Sequence, residues 1–304
     1  MIDFLSLLLS TLMLRPYVFA LFAFHIVAGS LQLGLRKIII FTALGYFIAF
    51  ISEFASTRIG IPYGYYYYIE ATRNKELWVS NVPFMDSLSY TFLAYFSYSM
   101  ALLFRLPVLQ RGYDVQLEDN NEIRRSGSVL ALSVILFVLQ DVIADPLALR
   151  GSRWFLGQIY GYPYEGLYFG VPVANFLGWT VVGLVTFSIF RVIDELPSPI
   201  PLPWGERVRV RGWYVPCKPL MGPALYFCTM IFNVTITFYI GEYILGLISL
   251  SILCILLWLV GFRLVLSKAN VLVKGTNTIT NEDIAFLGIP SPSAKDTLSA
   301  KTLD

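Results

Sequence analysis

The residues best suited to chemistry in this sequence are two carboxylates near the end of an apolar stretch. Asp141 and Asp145 lie four positions apart, so a helix presents both on one face. Charged side chains in a membrane-spanning helix are costly and usually face a cavity, a partner or a reaction. Two carboxylates on a poorly hydrated face do not easily both ionise, so one is expected to remain a neutral acid that can donate a proton. The pair is therefore a candidate for acid–base catalysis.

A third carboxylate, Glu53, occupies the matching place in an earlier apolar stretch. Glu53 precedes Asp86 by 33 residues, and Asp141 precedes Asn175 by 34. Each interval contains a Tyr-, Gly- and Pro-rich segment followed by a Val-Pro step. At a helical rise of about 1.5 Å per residue, Glu53 and Asp141 reach a similar depth in the outer third of a bilayer. The pattern predicts a parallel repeat of two helical hairpins with a shared site between them.

Aromatic residues are dense in and beside these segments. Their rings could line a cavity for an apolar substrate and stabilise a developing cation, although aromatic belts occur at every membrane interface. Asp86 and Asn175 each follow a Val-Pro step at a helix start, where a helix cap is the simpler role, yet both would point into the same loop space. The predicted substrate-binding residues are Tyr63, Tyr65, Asp86, Tyr90, Tyr164, Asn175 and Trp179.

Simpler structural roles exist for the acids as well. Asp141 and Asp145 could be a buried polar pair that bridges two helices, or Asp145-Pro146 could end the helix, and Glu53 could form an ion pair with Arg58 or Arg150. The neighbouring loop acids are expected to be solvated, namely Glu70, Glu76 and Glu165. Because membrane-embedded acids are functional by default, the catalytic interpretation of the three helical carboxylates is favoured.

The overall composition is that of a polytopic membrane protein. The chain has 304 residues, of which 57% are hydrophobic and only 14% charged. The net charge of +2 is spread over several loops without a basic stripe, so no nucleic-acid partner is expected. Three scattered cysteines and one histidine are too few for a disulfide framework or a Cys/His metal site.

Apolar stretches of about 20 residues, the length that crosses a bilayer, predict an all-α bundle of about seven spans. The spans are Tyr17 to Leu35, Ile38 to Arg58, Asp86 to Phe104, Ser128 to Leu147, Val171 to Phe190, Leu220 to Ile240 and Tyr243 to Leu266. Residues 1–275 are predicted to form one transmembrane domain, followed by a polar, disordered tail from 276 to 304. Most Lys and Arg residues follow spans one, three, five and seven, which places the N-terminus outside and the C-terminus in the cytoplasm.

These segments together resemble a family of integral-membrane carotenoid biosynthesis proteins. The resemblance rests on the Glu53 region with Gly60-Ile-Pro-Tyr-Gly-Tyr-Tyr-Tyr, on Val82-Pro, on Asp141-Val-Ile-Ala-Asp145-Pro146, and on Val171-Pro-Val-Ala-Asn-Phe-Leu-Gly-Trp179. It covers most of residues 40 to 265 and leaves out the apolar N-terminal extension and the polar tail. The activity characterised in this family is hydration of the terminal 1,2 double bond of acyclic carotenoid ends, as in γ-carotene 1',2'-hydratase and bisanhydrobacterioruberin hydratase.

The resemblance implies a carotenoid substrate, water and surrounding lipid as partners, and neither a cofactor nor a metal. The residues are compatible with this chemistry, with the Asp141/Asp145 pair as proton donor and Glu53 directing the water, or with these roles reversed. Three alternatives stay open: a carotenoid cyclase, a prenyltransferase that uses the Asp-x-x-x-Asp spacing to hold Mg²⁺, and a non-catalytic transporter or scaffold. The oligomeric state is also left open.

Overall fold

The computed structural model describes residues 4–111, 113–194 and 215–277. Within these ranges the chain is a helical bundle with a few short strands in its connections. The helices are α1 (Phe4–Leu14), α2 (Pro16–Leu33), α3 (Leu35–Ile59), α4 (Phe84–Arg105), α5 (Asn121–Arg124), α6 (Gly127–Ala148), α7 (Val173–Ile193), α8 (Met221–Tyr239) and α9 (Tyr243–Asn277). The predicted tail from 276 to 304 begins inside α9 and otherwise lies outside the described residues.

Six helices in the described ranges are long and apolar enough to cross a membrane, namely α2, α3, α6, α7, α9 and the stretch Lys218–Tyr239 that includes α8. The chain is therefore an integral membrane protein with an all-α polytopic fold, as predicted. The seventh predicted span is α4, which is 22 residues long but is not among those six. The apolar N-terminal extension forms a helix of its own, α1, whose 11 residues are fewer than a span requires.

Helix α4 is less apolar than these six helices, which fits its place at the centre of the bundle, where it faces protein rather than lipid. It contacts α2, α3, α6 and α8, and most of its residues are buried. Small side chains on its surface let the neighbouring helices approach closely. Those buried most completely are Ser87, Thr91, Ala94, Ser97, Ser99 and Ala101.

Four helices form a closed ring around the site described below. Helix α3 contacts α4 and α7, and α6 contacts the same two helices. A parallel repeat of the hairpins α3–α4 and α6–α7 would produce such a ring. The first helix of each hairpin would then contact the second helix of both hairpins. The internal repeat remains our proposal for the origin of this arrangement.

The two long connections of these hairpins, residues 60–83 and 149–172, meet at one end of the bundle, called here the tyrosine end. Strand β1 (Tyr67–Tyr68) of the first connection pairs antiparallel with β6 (Tyr160–Gly161) of the second. The first connection also holds the pair β2 (Trp78–Val79) and β3 (Val82–Pro83). A hairpin of β4 (Val108–Arg111) and β5 (Asp114–Leu117) lies between α4 and α5.

The N-terminal segment is tied to the tyrosine end by buried polar contacts. Arg15, between α1 and α2, forms an ion pair of 3.2 Å with Glu76, and the two side chains are only 6% and 1% exposed. Thr11 accepts a hydrogen bond of 2.7 Å from the backbone of Leu77. The prediction that Glu76 is solvated is therefore wrong, because Arg15 and Thr72 contact its carboxylate.

Candidate active site

Asp141 and Asp145 lie one turn apart on α6, and both side chains are buried. The amide nitrogen Nδ2 of Asn175, in the first turn of α7, donates hydrogen bonds to Asp141 Oδ2 at 2.7 Å and to Asp145 Oδ2 at 3.0 Å. Both carboxyl groups therefore share one helix face, as their spacing predicted. The prediction that Asn175 caps α7 is wrong, because Pro172 occupies the cap position and the Asn175 side chain contacts α6 instead.

Two tyrosines of the connection between α6 and α7 also contact Asp145. The Tyr162 hydroxyl donates a hydrogen bond of 2.9 Å to Oδ2, and the Tyr160 hydroxyl donates to Oδ1. Burial raises the pKa of Tyr162, and the nearby charge of Asp145 raises it further, so the hydroxyl stays protonated and acts as a donor. Among the described residues, Asp145 thus accepts hydrogen bonds from three side chains, whereas Asp141 accepts one, from Asn175.

The other hairpin brings a second pair of acids to the same place. Glu53 of α3 accepts a hydrogen bond of 2.6 Å from Ser87 of α4, and Asp86 accepts one of 2.6 Å from the Tyr68 hydroxyl. Asp86 does not cap α4, because Pro83 is the cap residue. Glu53 lies six residues from the end of α3 and Asp141 seven from the end of α6, so the two acids lie at similar distances from the tyrosine end of their helices.

The two arginines considered as partners for Glu53 contact other groups. Arg58 donates to the side chain of Asn81 at 2.5 Å. Arg150 forms an ion pair of 2.9 Å with Glu242, in the turn between α8 and α9. The alternative of a structural ion pair for Glu53 is therefore not supported, and its described side-chain partner is the Ser87 hydroxyl.

The tyrosine run of the first connection alternates between the inside and the outside of the protein. Tyr66 and Tyr68 are buried, and burial raises the pKa of both hydroxyls. Tyr65 is 58% exposed, because successive side chains of an extended segment point in opposite directions. Tyr164 of the second connection is 85% exposed. The structure therefore does not bring the side chains of Tyr65 and Tyr164 to the acids.

A cavity of about 210 Å³ lies between the two hairpins and is lined by both acid pairs. The predicted residues in its wall are Glu53, Tyr63, Asp86, Tyr90, Asp141, Asp145, Asn175 and Trp179. The other wall residues include four tyrosines of the two connections that were not among the predicted site residues, namely Tyr66, Tyr68, Tyr160 and Tyr162. The alternation of side chains along a short strand was the signal that could have selected Tyr66 and Tyr68 over Tyr65.

Aromatic rings form one wall of the cavity. The rings of Tyr90 and Trp179 stack with their centroids 5.6 Å apart, and Phe137 packs behind them at 4.7 and 4.6 Å. Tyr63 approaches Trp179 from the first connection, with centroids 6.2 Å apart. Gly178 permits this approach, since a Cβ atom there would lie 2.5 Å from the Tyr63 ring. An electron-rich surface therefore lies beside the carboxyl groups.

A family model described as "Carotenoid biosynthesis protein" matches residues 5–257, a range that contains every residue of the cavity wall. The chain belongs to the carotenoid biosynthesis protein family. Comparison with curated proteins and with solved structures gives no match. Membership of this family implies a carotenoid as the substrate class, which suits a helical bundle that lies in the membrane where such hydrocarbons dissolve.

Proposed function

We propose that this carotenoid biosynthesis protein is a hydratase that adds water across the terminal 1,2 double bond of an acyclic carotenoid end. The proposal rests on one observation above the others. Asn175 joins two buried carboxyl groups, Asp141 and Asp145, in the wall of a cavity that is otherwise largely aromatic and apolar. Such a site can supply a proton to an alkene and still shield the cation that forms.

The hydrogen bonds favour Asp141 as the proton donor. Asp145 accepts from Tyr160, Tyr162 and Asn175, and hydrogen bonds to a carboxylate favour its charged form. Two neighbouring carboxyl groups with poor hydration do not readily carry two charges, so the proton is expected on Asp141. Asp145 then holds Asn175 and the two hydroxyl groups in place around the acid.

In the proposed reaction, Asp141 transfers its proton to C2 of the terminal alkene and leaves a tertiary cation at C1. The rings of Tyr90 and Trp179 face the cavity where this positive charge develops, and aromatic faces attract cations. Water then forms a bond to C1 and passes a proton to the Glu53 carboxylate, which Ser87 orients. The product is a tertiary alcohol, and proton transfer from Glu53 back to Asp141 through water restores the starting state.

The experiment is expression in a host that makes acyclic and monocyclic carotenes, grown in water labelled with heavy oxygen. We expect a new tertiary alcohol that carries the label, and no such product with Asp141→Asn. An exposed alanine of α6 provides the control variant Ala131→Leu, which leaves the cavity wall unchanged.

Other products would contradict the hydratase. A new ring without added oxygen would indicate a cyclase. A cyclase starts with the same protonation, but a double bond of the same molecule then attacks the cation and a proton is lost. An activity that chelation abolishes would favour the prenyltransferase, and unchanged pigments would favour transport or a scaffold.

A further inference from the structure

The cavity has two halves of different chemistry. The half inside the ring of α3, α4, α6 and α7 carries the acids and tyrosines described above. The other half lies against α2, α4 and α6 and is lined by Tyr17, Val18, Leu93, Ala144, Ala148 and Leu156. Apart from the Tyr17 side chain, the residues of this second half are aliphatic, so it suits an apolar chain better than water.

The cavity is too small for a whole carotenoid. A cavity of about 150 Å³ holds one benzene molecule, so the 210 Å³ measured here holds little more than one isoprenoid end group. If the proposed function is correct, the rest of the polyene must leave the site on a path that hydrocarbon can occupy. The half between α2, α4 and α6 provides such a path within the described residues.

Two alanines keep this path open. Ala144 and Ala148 lie on the same face of α6 as Asp141 and Asp145, at the spacing of one helical turn. A larger side chain at Ala148 would project into the space that the polyene needs, whereas the acids one turn away would keep their partners.

A short segment closes the path on the side of α8, which contacts both α2 and α6. The ring of Phe155 packs against Tyr17 of α2 and Phe232 of α8, with centroids 5.9 and 6.1 Å away, and is itself 65% exposed. The next residue, Leu156, lines the cavity, and its carbonyl accepts a hydrogen bond of 2.7 Å from Arg15. The exposed ring of Phe155 is therefore the neighbour in the chain of a residue that lines the apolar half of the cavity.

We propose that the apolar half is the binding site for the polyene chain next to the reacting end, entered from the bilayer between α2 and α8 past Phe155. Ala144 and Ala148 set the width of this site. The inference rests on the proposed function for the identity of its ligand.

The test measures retention of an acyclic carotene by the full-length protein in detergent, with Asp141→Asn present so that the ligand is not converted. Carotene that elutes with the protein is quantified by its visible absorption and compared with protein-free micelles. We expect Ala148→Leu to lower the retained carotene about tenfold, because extra side-chain volume in a fitted site displaces the chain that it binds. The matched control is Ala131→Leu on the exposed part of α6, which should retain carotene as the parent protein does.

Retention that Ala148→Leu leaves unchanged, or a parent protein that retains no more carotene than micelles, would overturn the polyene site. If retention depends on Ala148 but the protein with Asp141 forms no hydrated product, the polyene site stands and the hydratase proposal fails. The two proposals can therefore be separated by one set of proteins.

Discussion

The side-chain nitrogen of Asn175 lies 2.7 Å from Asp141 Oδ2, although the two residues are 34 positions apart on different helices. The same nitrogen lies 3.0 Å from Asp145 Oδ2, so one amide group holds two carboxyl groups that would otherwise repel each other. Because an amide can donate two hydrogen bonds and carries no charge, it can organise the pair without neutralising it. In the proposed chemistry Asn175 is therefore a positioning residue for both acids.

Replacing Asn175 with Leu removes this donor with little change in volume. We expect the hydration rate to fall about 10- to 100-fold, since a hydrogen bond to a charged group contributes about 1.5–3 kcal/mol. The measurement is product formed per amount of membrane-inserted protein. Asn233→Leu on α8 makes the same change outside the cavity wall and should keep the activity. Equal losses in the two variants would show that the effect of Asn175 is only structural.

The tyrosines of the two connections should differ in how much their hydroxyl groups contribute to the hydration rate. Tyr160→Phe and Tyr162→Phe each remove a hydrogen bond to Asp145, and we expect each to lower the hydration rate about 5- to 50-fold. Tyr65→Phe and Tyr164→Phe remove hydroxyl groups that face outward and should leave the rate unchanged. Rates of product formation for the four single variants decide the question. A loss confined to Tyr65→Phe or Tyr164→Phe would contradict the proposed site.

The buried ion pair between Arg15 and Glu76 should contribute strongly to stability. Glu76→Gln leaves the Arg15 charge without its partner, and loss of one member of a buried pair costs about 3–5 kcal/mol. The exposed pair of Glu70 and Arg73 in the same connection is the control, and Glu70→Gln should cost less than about 1 kcal/mol. Unfolding of the purified variants in a denaturing detergent, followed by circular dichroism, gives the comparison. Similar stabilities would show that Glu76 is hydrated in solution.

Glu242 should make part of the stability dependent on pH. Hydrogen bonds from Arg150 and Arg153 hold the pKa of Glu242 below its usual value of 4.5, against the opposing effect of partial burial. A carboxyl group with a lowered pKa stabilises the folded state above its unfolded pKa, and this contribution is lost as the pH falls through the folded value. The effect therefore disappears at a pH below about 4.5.

We expect the Tm of the wild type to fall more than that of Glu242→Gln when the pH is lowered from about 6 to about 3. Other carboxyl groups titrate in both proteins, so the difference between the two Tm changes reports on Glu242. Identical changes in Tm would show that its ion pairs do not contribute.

Sequence patterns predicted the helices closely, because the length of an apolar run and the helical period are local properties. Each of the seven predicted spans corresponds to one helix, and the main difference is α9, which extends to Asn277 rather than ending at Leu266. The shared face of Asp141 and Asp145 follows from their spacing alone. Eight of the ten predicted site residues line one cavity, since both acid-bearing helices and both Val-Pro steps have the same order in the chain.

The sequence by itself therefore determined the membrane-spanning architecture and the helix face that Asp141 and Asp145 share. Only the tertiary structure decided which side chains meet across the connections: Ser87 rather than Arg58 at Glu53, Arg15 at Glu76, and Tyr160 and Tyr162 at Asp145. The physical reason is that a helix pattern depends on neighbours a few residues away. The partner of a buried polar group depends on the path of loops that bring distant segments together, as β1 and β6 do here.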